Sequence, residues 1–223
     1  MPLSRKLAFA MIAFFALCLG STATARADTV NIVGNTNGNL ATATMTCTFN
    51  AQTNTFTFTI NNTSPFDARI TGIGFDLPPV GNADPAGLSL NGSVVFQPTD
   101  VNFVFENGNL GNVPQFNDVV LDFGFITGSN FAGGNPNDGL PPGIDVGEEA
   151  TFTVSGAAFA GFTEEQICEA VFVRFQRVGA NGELSDVGTP GEPMPEPTTM
   201  LLLGTGLTGI AARVRRRRNA AQK

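Results

Sequence analysis

The chain has 223 residues, enough for one ordinary domain with processing segments at its ends. It contains no His, no Trp, no Tyr and only three Cys, which excludes Ser-His-Asp and Cys-His catalysis, zinc sites needing an imidazole or four thiolates, and the Trp and Tyr platforms that usually stack sugars. The nominal charge of -7 hides an asymmetry: residues 28–192 hold only Arg69, Arg174 and Arg177 against eighteen acids, a body of about -15 that repels nucleic acid and anionic lipid.

In chain order, residues 1–27 read as a secretory signal. Arg5 and Lys6 form a positive start, residues 7–19 an apolar stretch, and Ala25, Arg26 and Ala27 a small-x-small cleavage site that leaves Asp28 as the mature N-terminus. The apolar stretch is shorter than the ~20 residues of a spanning helix. Cys18 lies inside it and leaves with it, because Leu17 stands where a lipoprotein signal needs a small residue.

Residues 28–186 read as short strands between polar turns. Residues 55–60 alternate cleanly, with Phe56, Phe58 and Ile60 on one face and threonines on the other. The preceding run places Met45, Cys47 and Phe49 on one face, and residues 50–54 form a hairpin loop. Further strands are expected at 68–77, 88–96, 101–106, 119–126, 150–155 and 170–178. About eight strands without a long helical period predict an all-β single domain, a β-sandwich or jelly roll. One helical turn is expected after Thr163, where Gln166 completes a capping box. Residues 78–87 and 128–147 read as long loops, and 187–197 as a linker rich in Gly and Pro.

Cys47 and Cys168 are the cysteines left after signal cleavage, and an even pair in an oxidising compartment predicts a disulfide. The acids offer two further chemistries. A glycosidase needs only two carboxylates, and Asp118, Asp122, Asp145, Glu148 and Glu149 are available, although turn and strand-edge acids ordinarily serve solubility. Asn135, Asn137, Asp138 and Asp145 supply hard oxygen ligands suited to calcium, without the EF-hand order. Asn-x-Ser/Thr sequons at Asn61, Asn62 and Asn91 read as turn residues. No cofactor motif is present.

Residues 198–223 have their own order. Pro195, Glu196 and Pro197 precede an apolar run at 200–212, which ends in Arg213, Arg215, Arg216, Arg217 and Arg218. The arginines hold that end in the cytoplasm. About 13 residues make a helix of about 20 Å, short of the ~30 Å hydrocarbon core, so the run suits a transient anchor better than a resident one. Tripeptide, Leu/Gly-rich run and arginine cluster resemble the PEP-CTERM sorting signal of Gram-negative bacteria. Residues 142–153 and 173–186 are similar to a turn-then-strand pattern and a last strand found in such proteins. The resemblance implies export through the inner membrane, processing by signal peptidase and exosortase, and a destination at the cell surface, outer envelope or extracellular matrix. It further implies a non-catalytic role with exopolysaccharide in a biofilm; a polysaccharide- or calcium-binding adhesion module is the alternative.

Overall fold

The computed structural model describes residues 27–38, 40–79, 89–108, 110–133 and 142–191. Ten strands are present: β1 (Asp28–Gly34), β2 (Thr42–Asn50), β3 (Thr55–Asn62), β4 (Arg69–Phe75), β5 (Asn91–Phe96), β6 (Val104–Asn107), β7 (Phe123–Ile126), β8 (Glu149–Ser155), β9 (Val171–Val178) and β10 (Leu184–Pro190). Among the described residues, helix is confined to a 3-10 turn at Ala157–Phe159 and to α1 (Glu164–Cys168). All neighbours pair antiparallel in one sheet, in the order β5-β8-β3-β2-β1-β10-β9-β4-β7-β6.

That sheet folds over on itself, so the expected sandwich forms from one continuous sheet and not from two. Alternation in β3 and β8 sends Phe56, Phe58, Phe152 and Val154 inward. They meet Phe75 of β4 and Phe125 of β7 from the other half: Phe58 and Phe75 have ring centroids 5.1 Å apart, Phe125 and Phe152 4.5 Å apart. The edge strands also meet. A Cβ at Gly92 of β5 would lie 2.1 Å from the ring of Phe105 of β6, so only glycine allows that approach.

The two outer faces are treated differently. Over β4 and β7, Gly74 and Gly124 stand opposite each other in register. Their missing side chains leave room for Leu121 and Leu110, each 2.5 Å from where a Cβ would be. With Val113, Ile126, Phe131 and Val187 these leucines make a second apolar cluster, so the chain covers that face itself. Among the described residues, the outer face of β2, β3 and β8 carries no such cover.

Expected strands at 68–77, 88–96, 101–106 and 119–126 are shorter as β4 to β7, and β1 and β10 join the count. β10 continues to Pro190, past the expected linker boundary at 186, because β1 and β9 pair with it on either side. The stretch at 173–176 is therefore in the penultimate strand.

Candidate functional site

The first and last strands lie side by side at the middle of the sheet. Ile32 pairs with Pro190 and Gly34 with Gly188, and the Gly191 N–H donates to the Asn31 carbonyl at 2.8 Å. Antiparallel pairing brings the start of β1 and the end of β10 to the same pole. Asp28, the residue expected after signal cleavage, is the first residue of β1. The expected cleavage residues Ala25 and Ala27 precede it; Ala27 is exposed, and Ala25 lies outside the described residues. So do Pro195, Glu196, Pro197 and the arginines 215–218.

At the same pole, Cys47 of β2 and Cys168 at the end of α1 form the expected disulfide, with 6.3 Å between their Cα atoms and both residues fully buried. Thr163 caps α1 as its sequence predicts. Its hydroxyl accepts from the Gln166 N–H at 3.2 Å, and the Gln166 side chain accepts from the Thr163 N–H at 3.0 Å. A second tie to β2 is the Glu164 carboxylate, which accepts from the Phe49 N–H at 2.5 Å. The short helix is thus fastened over the end of the core.

The acids considered for catalysis are divided between the poles. Asp122 precedes β7 at the terminal pole, is buried, and accepts from the Leu77 N–H at 2.8 Å; Asp118 is exposed nearby. Asp145, Glu148 and Glu149 precede or begin β8 at the opposite pole. There Arg69 grips Asp145 with two contacts, Nε to Oδ1 at 2.5 Å and Nη2 to Oδ2 at 2.7 Å, and Glu148 accepts from the Asp145 N–H at 3.1 Å. Burial raises the Asp145 pKa above its ordinary 3.8; Arg69 opposes that, while Glu148, Asp100 and Asp67 reinforce it. Its carboxylate is committed to Arg69, which weakens its case as a calcium ligand. The partner residues Asn135, Asn137 and Asp138 lie outside the described residues. Among the described residues, no group of three or more His, Cys, Asp or Glu is placed to hold a metal ion.

All three sequons fall at strand ends and not in the expected turns. Asn62 is buried, and its amide donates to the carbonyls of Ala68 at 2.7 Å and Ile144 at 2.8 Å; Asn61 precedes it in β3, and Asn91 opens β5 exposed.

Sequence reasoning missed the buried polar network at the β9–β10 seam. Asp186 is fully buried. Its carboxylate accepts from the Thr36 hydroxyl at 2.5 Å, the Asn37 N–H at 3.1 Å and the Val187 N–H at 2.8 Å, binding the loop after β1 to β10. Arg174 donates to the carbonyls of Ala132 at 2.9 Å and Asp186 at 3.2 Å and to the Ser185 hydroxyl at 3.0 Å. Burial lowers the Arg174 pKa and the neighbouring Asp186 charge raises it. The available signal was Arg174 itself, a cation set between Val171, Phe172, Val173 and Phe175 in β9. With every hydrogen bond internal, the network is structural.

Among the described residues no helix is long and apolar enough to cross a membrane; the apolar run at 200–212 lies outside them. The family model for the PEP-CTERM protein-sorting motif matches residues 195–217. No curated protein and no solved structure matches the chain. The chain thus carries a PEP-CTERM protein-sorting motif at its C-terminal end, a signal that supports export and sorting by exosortase.

Proposed function

We propose that the folded body is a non-catalytic component of the outer envelope or extracellular matrix, associated with exopolysaccharide, and that signal peptidase frees its N-terminus at Asp28 while the C-terminal run anchors it until exosortase cuts. The sorting motif at 195–217 carries this reading. Three observations support it. β1 begins at Asp28, so a cut there spares the first strand. The apolar run is too short for a comfortable permanent anchor. Of the five acids considered for catalysis, Asp122 and Asp145 are bound into the fold and the set is divided between opposite poles, which disfavours a paired-carboxylate enzyme.

Fractionation of the producing cells with and without the exosortase gene tests the processing. The matrix fraction of normal cells should hold a species starting at Asp28 and lacking the arginine cluster by intact mass, and the deletion strain should retain the longer form in its membranes. A matrix species still ending at Lys223 would refute the processing. Release of the protein by polysaccharide-degrading enzymes tests the association, and unchanged retention after digestion would refute it.

A further inference from the structure

The outer face of the first half-sheet, uncovered among the described residues, differs in composition from the apolar outer face of the other half. The five strands β1, β2, β3, β5 and β8 contain only two charged residues, Asp28 and Glu149, one at each pole. The rows between them are hydroxyls. Thr46 pairs with Thr59 and Thr59 with Thr151; one row along, Thr48 pairs with Thr57 and Thr57 with Thr153. Adjacent strands stand about 4.8 Å apart and same-face residues about 6.8 Å apart along a strand, so the threonines form a regular grid. The Thr59 and Thr151 hydroxyls lie 2.8 Å apart, within hydrogen-bonding distance. Their β-branched side chains are stiff about χ1, so little freedom is lost on contact.

Next to Thr151 on the edge strand stands Phe96. Register puts it on the same outer face, and it is 53% exposed while most of the described phenylalanines pack inward. The row from Thr46 through Thr59 and Thr151 to Phe96 thus joins hydroxyls and methyls to one exposed aromatic ring. In a body of about -15, this face carries a single charge among the described residues, Glu149 at its margin, which suits an uncharged polymer better than a polyanionic one.

We propose that this face binds a neutral polysaccharide laid across the strands, one sugar ring stacked on Phe96 and its hydroxyls meeting the threonine row. The proposal rests on the exopolysaccharide association and names the surface and the class of polymer. One aromatic and several neutral hydrogen bonds make weak single contacts, so binding is strengthened by polymer length and by repeated engagement.

Affinity electrophoresis of the full chain in mild detergent tests it, with gels containing hydroxyethylcellulose, galactomannan, dextran or alginate. Retardation is expected in at least one neutral gel and none in alginate. Phe96→Ala, and separately the paired Thr59→Val and Thr151→Val, should weaken retardation about tenfold, the equivalent of one or two net contacts. Phe96→Tyr keeps the ring and should restore binding, which separates loss of the site from loss of fold. Equal retardation of all variants, retardation by alginate alone, or free passage through every neutral gel would each overturn the assignment of this face. None of these results decides the matrix association, which the digestion experiment tests independently.

Discussion

Cys47 on β2 and Cys168 at the end of α1 are joined across 121 residues of sequence, and the bond pins the only α-helix among the described residues to the sheet. A closed loop of this length constrains the unfolded chain strongly, and the loop-entropy account values it at about 5 kcal/mol as an upper figure. Cys47→Ala with Cys168→Ala should therefore lower the urea midpoint without changing the fold. The same shift should follow when the wild-type chain is unfolded with a reductant. Equal midpoints with and without reductant would contradict a stabilising bridge.

Phe58 is fully buried and within 5.4 Å, centroid to centroid, of Phe56, Phe75 and Phe152. It joins the two halves of the sheet from the middle of β3. Phe58→Ala should cost about 3–5 kcal/mol through lost burial and a cavity that rigid neighbouring rings cannot fill. Phe58→Leu retains most of the volume and should cost clearly less. Chemical denaturation of both variants measures the difference.

At the seam, Asp186→Ala removes the acceptor shared by Thr36, Asn37 and Val187 and leaves Arg174 without its nearest countercharge. A loss of about 3–5 kcal/mol is expected, as for other broken buried charge networks. Asp186→Asn keeps one carbonyl oxygen and should be milder. Amide exchange should quicken first at residues 35–38, the loop that the carboxylate holds.

The Asp145 pKa sets a pH trend. Burial holds it above 3.8 in the folded chain, so between that value and the folded pKa the native state keeps a proton that the unfolded chain has lost. Stability from this group is therefore greatest on the acid side and falls as pH rises through the window. Arg69→Gln removes the opposing charge, lifts the pKa further and extends the fall towards neutral pH. Urea midpoints of both proteins at mildly acid and neutral pH check the sign; a midpoint that rises with pH more steeply in the variant would reverse it.

Strands were legible where side chains alternate over several residues, as in β3 with Phe56, Phe58 and Ile60. The disulfide and the α1 cap were legible because each depends on residue types at few positions. β10 was not. Its Asp186, Gly188 and Pro190 carry turn chemistry, and the segment becomes a strand because β1 and β9 supply partners from far away in sequence. The threonine grid was half legible: alternation predicts threonines opposite the core face, but their alignment across β2, β3 and β8 depends on register. Phe96 joins that row through the irregularity between Val94 and Phe96, which no local pattern announces.

The pairing of β1 with β10 also determines how the body responds to a pull. Because Asp28 and Gly191 leave the same pole from neighbouring antiparallel strands, tension between the ends loads their hydrogen bonds one after another, as in a zip, and does not shear them together. A chain held by both tails therefore opens at this seam under modest force. Once either tail has been cut, no load can be applied across the seam through its own ends.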